Sequence, residues 1–259
     1  MAYENLIKNL APFGYRPIPN TDSYWEHRQY PTKFCLCVDN FGVKFFDKRD
    51  INHLITALQT NYKISTDFQG KNYCGFTIDW HYNDGFVDIS MPGYVTRSLE
   101  KFQYKPKIPQ YSPHEHQRPN YGAKIKYATP TDTSEETNKR DTQRVQSITG
   151  TFLYYSRAID PTMLVALNEI AAVQSKPTIK TIGKCNRLMD YAATYPNAKL
   201  RSFATDMVLH VDSDAAYLVQ DNARSRIAGY YILSSYPHPA PILPTPAPNT
   251  SIIVECIKL

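Results

Sequence analysis

The stretch Lys33 to Phe46, K-F-C-L-C-V-D-N-F-G-V-K-F-F, constrains this chain more than any other. Two apolar runs flank Asp39-Asn40, with Gly42 close behind, the pattern of a β-hairpin with a tight turn at Asp39-Asn40. Alternation puts Phe34, Leu36 and Val38 on one face, and Cys35, Cys37 and Asp39 on the other. An acidic side chain then stands at or near the tip, backed by an apolar sheet. Such a hairpin can present a carboxylate to a metal ion. Ordinary surface turns share the pattern, because Asp and Asn hydrogen-bond locally in turns. The hairpin by itself leaves both open.

A chain of 259 residues can hold one large domain or two modest ones. With 42% hydrophobic and 20% charged residues it can build a core and is no disordered polyelectrolyte. Five cysteines, Cys35, Cys37, Cys74, Cys185 and Cys256, contain no C-x-x-C pair. Neither a zinc site nor a disulfide framework is expected, and buried reduced thiols are. No apolar run approaches the ~18 residues that span a bilayer, and M-A-Y-E-N-L-I-K-N-L lacks the long apolar core of a signal peptide. These features imply an intracellular, reducing location without membrane contact. Charge is uneven. Asn138 to Arg201 carries ten Lys/Arg against four Asp/Glu, whereas Thr205 to Leu259 carries three against five. A basic helical middle beside an acidic β segment suits a polyanion clamp next to a metal site, and equally an ordinary solvated helix face.

Periodicity organises the rest. A short helix is expected over Ala2 to Leu10, and another over Asp50 to Tyr62 with Asp50 as N-cap and His53 on its surface. Strands follow at Tyr73 to Trp80 and Phe86 to Met91, joined by an Asn83-Asp84-Gly85 turn, and then a helix at Tyr94 to Phe102. Tyr104 to Thr142 has scattered prolines and no sustained period, so it is expected as a tether, disordered in part near Thr129 to Asn138. Three helices come next. The first is built on Val145, Ile148, Phe152, Tyr155 and Ile159, and the second opens at Pro161 and runs to about Gln174. The third spans Thr178 to Thr194 with Ile179, Ile182, Leu188, Met189 and Ala192 inward. The period then changes to two. Met207, Leu209 and Val211 oppose Val208, His210, Asp212 and Asp214, and further strands follow at Ile227 to Ser235 and Ser251 to Leu259, separated by a proline-rich loop.

Several of these segments, taken in order, resemble reverse transcriptases of copia-type long-terminal-repeat retrotransposons. In that family a Tyr-x-Asp-Asp-like turn follows an apolar strand and precedes G-V-K-Y; here the box stands as C-V-D-N-F-G-V-K-F. Y-C-G-F-T-I-D-W and V-D-I-S-M-P-G-Y resemble the strands that follow it. Q-S-I-T-G-T-F-L-Y-Y-S-R-A, from Gln146, resembles the thumb helix with its G-x-L-L-Y motif, and L-M-D-Y-A-A-T-Y-P, from Leu188, the last thumb helix. L-H-V-D-S-D-A-A-Y, from Leu209, with A-R-S-R-I-A-G-Y-Y, resembles the opening of the fused RNase H. The resemblance implies an α+β fold in four parts. Residues 1–103 would be the C-terminal part of a palm, of antiparallel hairpins plus helices, and 104–142 a tether. Residues 143–200 would be a helical thumb, and 201–259 the first part of a truncated RNase H-like β sheet that opens with three antiparallel strands.

The function implied is that of a fragment of a transposable-element polyprotein, an RNA-directed DNA polymerase with ribonuclease H. The intact protein would use Mg²⁺ in two-metal phosphoryl transfer on an RNA/DNA template-primer, in the cytoplasm within a virus-like particle or in the nucleus. Asp39 matches the first carboxylate of the polymerase box, and Asn40 stands where the second belongs. Asp214 matches the first RNase H carboxylate, with Asp212 on the same strand face. Asp39 and Asp214 are therefore the expected metal ligands. The remaining carboxylates would lie outside this chain, Glu255 reads as an exposed strand acid, and the chain alone is expected to be inactive. Lys139, Arg140, Arg144, Lys180, Lys184 and Arg187 would neutralise phosphates without sequence preference. Tyr154 and Tyr155 could stack on bases or belong to the core. The alternative is a non-catalytic, degenerate retroelement remnant that at most binds nucleic acid.

Overall fold

A computed structural model describes residues 2–21, 23–115, 132–220, 224–235, 249 and 251–258. It is mixed α+β, with all sheet pairing antiparallel among the described residues. Contacts divide it into two compact units, Met1–Ile78 and Asp79–Leu259.

In the first unit α1 (Ala2–Leu10) leads through a turn of 3-10 helix into β1 (Tyr15–Pro17), β2 (Tyr24–His27), β3 (Lys33–Cys37) and β4 (Asn40–Lys44). These strands form one antiparallel sheet in chain order. Leu6 and Leu10 of α1, Ile51, Leu54 and Leu58 of α2 (Lys48–Gln59), and Tyr15, Trp25 and Phe34 of the sheet share one core. Trp25 and Phe34, both under 2% exposed, stack with ring centroids 5.4 Å apart. Asp47, not Asp50, caps α2, accepting a hydrogen bond from the Arg49 amide at 2.8 Å. The segment D-K-R-D offers two aspartates three residues apart, and the earlier one takes the cap, which leaves Asp50 buried in the first turn. His53 is no surface residue either. It is half-buried, its Nδ1 lies 3.1 Å from the Tyr15 hydroxyl, and its ring packs edge-on against His27 and Tyr30. The expected strand over Tyr73 to Trp80 is two elements, β5 (Asn72–Tyr73) and β6 (Phe76–His81), paired across a turn at Cys74-Gly75.

In the second unit β7 (Phe86–Ser90) and α3 (Tyr94–Lys101) precede a bundle of α4 (Lys139–Ala158), α5 (Leu164–Val173) and α6 (Ile179–Thr194). Val95, Phe152, Met163, Leu167, Ile170 and Leu188 form its interior. The Tyr94 hydroxyl donates to the Thr151 carbonyl at 2.9 Å and its ring stacks on Tyr155, which draws α3 onto α4. The helix α4 starts within the expected tether, because Asn138 accepts a hydrogen bond from the Asp141 amide and caps it. Of the tether, residues 116–131 lie outside the described residues, as do 129–131 of the stretch expected to be disordered. Residues 132–138 are ordered against the start of α6: Thr178 Oγ1 donates to Asp132 at 2.6 Å, and the Ile179 amide to the Glu135 carbonyl at 3.0 Å. Ser134 and Thr178 together hold the Asp132 carboxyl down to about 2. Ile179, the first residue of α6, is 58% exposed, and Thr181 and Cys185 take the inward places with Leu188 and Met189.

A strand that the alternation does not announce, β8 (Lys199–Phe203), pairs with β7. Asp88, 4% exposed, accepts two hydrogen bonds from Arg201, at 2.8 and 2.9 Å. Three long strands follow, β9 (Val208–Gln220), β10 (Arg224–Ser234) and β11 (Ser251–Lys258), in the order β11-β10-β9. Asn249 ties them to β8, bonding both backbone groups of Phe203 and the Leu233 carbonyl. The proline-rich loop lies outside the described residues from 236 to 248. Register puts Leu209, Val211, Tyr231, Leu233 and Ile253 on one sheet face, and three of them are about half exposed: Leu209 55%, Val211 49%, Ile253 51%. The other face carries the buried Ile232 and Ser234. Among the described residues no helix is long and apolar enough to cross a membrane.

Arg201→Ala should lower the urea midpoint of the second unit, since it strands a buried carboxylate while the half-exposed guanidinium limits the loss. The Arg201 hydrogen bonds hold the folded Asp88 carboxyl below its ordinary value. The stabilisation is therefore complete above the usual carboxylate range and is lost as pH falls through the depressed value, a dependence that Asp88→Asn should remove. Limited proteolysis of the intact chain should cut first after about Ser202, where apolar sheet surface is most exposed; first cuts inside β3 to β7 would contradict this ordering.

Candidate functional site

The tip of the β3–β4 hairpin is one residue earlier than alternation suggests. Cys37 pairs with Asn40, leaving Val38-Asp39 as the two-residue turn. Both registers keep Phe34 and Leu36 on the core face, so the apolar pattern does not choose between them. The observed one sets Gly42 opposite Cys35 and brings the Phe34 and Phe41 rings within 5.2 Å. Val38, expected on the buried face, is 92% exposed at φ 57°, a left-handed conformation that a β-branched residue rarely adopts.

Asp39 and Asn40 are both exposed, and Asn40 Nδ2 donates to Asp39 Oδ1 at 3.1 Å. The tip thus offers one carboxylate, with an amide hydrogen already directed at one of its oxygens. A divalent ion of the Mg²⁺ class wants several hard oxygen donors arranged around it. Among the described residues no three His, Cys, Asp or Glu side chains are grouped to hold a metal ion. The residues at this tip therefore do not fit the two-metal centre that the resemblance implies.

Asp214 lies mid-strand in β9, opposite Ala228, with Asp212 opposite Tyr230. Both aspartates are exposed, and Asp214 Oδ1 accepts a hydrogen bond from the Ala215 amide at 2.9 Å. Here too the donor set falls short of a metal centre. Glu255 is in β11 and its backbone pairs with Gly229.

The six basic residues belong to two helices. Lys139, Arg140 and Arg144 occupy the exposed first two turns of α4. Lys180, Lys184 and Arg187 follow one stripe of α6, but they are not equally available. Lys184 Nζ is 3.4 Å from Glu169 of α5, whose other oxygen is 3.8 Å from Arg226 of β10. Arg187 is half-buried, and its Nε has no hydrogen-bond partner among the described residues. Lys180 is exposed, beside Asp132. Tyr155, 1% exposed, is core, and burial pushes its hydroxyl up to about 12. Tyr154 is 48% exposed.

Two polar groupings in the first unit escape pattern reading because their members are far apart in sequence. In one, His27 Nδ1 accepts from the Gln29 and Tyr30 amides at 3.0 and 2.8 Å, so its Nε2 carries the proton and donates to the Phe13 carbonyl at 2.8 Å. With Gly14, Arg28, Tyr30 and His53 it lines a cavity of about 370 Å³. In the other, Cys35 Sγ lies 3.3 Å from the Tyr73 hydroxyl, and Cys74 follows Tyr73 in the chain. Cys35 and Cys37 are exposed, contrary to the expected burial of the thiols, because they lie on the strand face that points away from the core. Cys185 is buried as expected.

No protein-family model, curated protein or solved structure matches this chain.

Val38→Gly should raise stability by about 1 kcal/mol, as it relieves a left-handed β-branched residue whose side chain packs against nothing substantial. Chemical denaturation with an unchanged slope and a higher midpoint would verify it.

Proposed function

We propose that this chain is a segment of a copia-type retrotransposon polymerase with fused ribonuclease H, and that it contacts template-primer nucleic acid without performing phosphoryl transfer by itself. The observation that carries the reading is the hairpin tip. A tight two-residue turn projects Asp39 beyond an apolar sheet, where a polymerase box would need its first carboxylate. The antiparallel order β11-β10-β9, with Asp214 in the middle of the first of these strands, supports the ribonuclease H part.

The first turns of α4 supply the strongest phosphate-facing charge. Lys139, Arg140 and Arg144 are exposed there, whereas Lys184 is engaged by Glu169. Binding should fall steeply with salt and be indifferent to sequence.

A second reading, a non-catalytic remnant, is favoured by one specific contact. The Asn40 amide donates a hydrogen to Asp39, so the position directs a positive group at the carboxylate where a metal would require another anion.

Fluorescence anisotropy of a labelled template-primer duplex separates these readings from no function in nucleic-acid binding. Affinity should drop roughly tenfold or more between 50 and 200 mM salt, and replacing Lys139, Arg140 and Arg144 by Ala should flatten the log–log slope by nearly one for each charge removed. Absence of binding at the lower salt would refute both. Primer extension with Mg²⁺ should be undetectable. Extension that Asp39→Ala abolishes would exclude the remnant and make the chain an active polymerase.

A further inference from the structure

The C-terminal end of α6 opens onto a cleft of about 440 Å³ that lies wholly within the second unit. Asp160, Tyr191, Thr194, Tyr195 and Asn197 are among its lining residues, which include one carboxylate and no Lys, Arg or His. Three separate features turn this cleft toward positive charge, and none of them depends on the polymerase reading.

The first is the carboxylate. Asp160 stands between the end of α4 and the single turn of 3-10 helix Pro161–Met163, and is 6% exposed. Its Oδ1 accepts from both the amide and the hydroxyl of Thr162. Because that hydroxyl is spent as a donor to Asp160, the Tyr191 hydroxyl donates to it in turn, at 2.8 Å. The relay from Tyr191 through Thr162 holds one carboxylate oxygen in place. The other, Oδ2, accepts no hydrogen bond and has no Lys or Arg at ion-pair distance among the described residues. A carboxylate taken largely out of water gains most from a cation that can donate to its open oxygen.

The second feature is aromatic. Tyr191, 8% exposed, and Tyr195, 43% exposed, form a corner with ring centroids 5.2 Å apart and planes at 52°. Such rings attract a cation through their quadrupoles. The third is the helix end itself. The last carbonyls of a helix lack intrahelical partners and carry the negative end of its dipole. No basic residue stands in the last turn of α6 to complement that end. The Thr194 hydroxyl does not compete for a ligand, since it donates to the Asp190 carbonyl and accepts from the Gln110 amide.

We propose that this cleft binds the primary ammonium group of a small aliphatic amine. One N–H donates to Asp160 Oδ2 and another to a carbonyl at the end of α6, while the Tyr191 and Tyr195 rings cover the charge and the adjoining methylenes. A primary ammonium brings three donors on one compact charge, which suits this set of acceptors. A phosphate would meet a carboxylate here, and a hard divalent ion would need more charged oxygens than the lining offers.

Saturation-transfer difference NMR of the full chain, titrated with butylammonium chloride, tests the proposal. Wild type should give a saturable signal. The neutral isostere 1-butanol should give none, and tetramethylammonium, which keeps the charge and lacks N–H donors, should bind several-fold more weakly. Asp160→Asn retains an acceptor for the Thr162 amide and should weaken butylammonium binding roughly tenfold. Tyr195→Ala should weaken it about threefold, and Tyr195→Phe should not change it. Circular dichroism reports whether Asp160→Asn is folded; where it is not, the exposed Tyr195→Ala variant decides. No saturable signal from wild type, undiminished binding in a folded Asp160→Asn or in Tyr195→Ala, or 1-butanol binding as well as butylammonium would overturn the site. Tetramethylammonium binding equally well would overturn the assignment to a primary amine.

Discussion

The larger unit depends on a strand pair that closes a very long excursion of the chain. Asp88 and Arg201 are 113 positions apart, yet their side chains meet in a two-bond fork beside the β7–β8 ladder. Loop closure over that span carries an entropic cost that grows only slowly with length. A charged pair whose carboxylate alone is buried, and five paired residues, with the intervening helices packed in the bundle, offset it. Arg201 also lies over the Phe86 ring at 3.9 Å, so its apolar plane is used as well as its charge. With β8 anchored in this way, α4, α5 and α6 return to α3, and Asn249 passes the constraint on to the sheet beyond.

The elements that were legible in the sequence are those whose apolar residues repeat cleanly. The helices α1, α3 and α5 and the alternating strands β7, β9 and β10 were of this kind. Elements defined by polar contacts were not. The helix α4 begins with K-R-D-T, which looks like loop until Asn138 is seen capping it. Strand β8 is too short and too charged to announce itself, and its reason for being a strand is Asp88, far upstream. The hairpin register was ambiguous for a different reason. Two registers bury the same face, and the choice between them turns on Gly42, whose partner Tyr73 cannot be found by local pattern.

At the candidate sites, sequence reading located residues but not their surroundings. It placed Asp39 at or near a hairpin tip and Asp214 on a strand. It could not show that Asn40 directs its amide at Asp39, or that Lys184 is held by Glu169. Charge counts treat the six basic residues of α4 and α6 as equals, whereas tertiary packing sorts them into exposed, paired and half-buried. The histidine and thiol groupings of the first unit are products of folding alone, since each brings together segments that share no motif.

Asp212 and Asp214 have a consequence apart from any metal. Among the described residues β9 pairs with β10 alone, so thirteen residues of backbone end in an unpartnered ladder edge next to a partly bare apolar face. Such an edge can template the addition of another strand. A second copy adding its own β9 there in antiparallel register centred on the two carboxylates brings its acidic pair close to the first. A residue pattern that resembles half of a catalytic centre thereby also sets like charges against growth of the open sheet by pairing of one β9 with another.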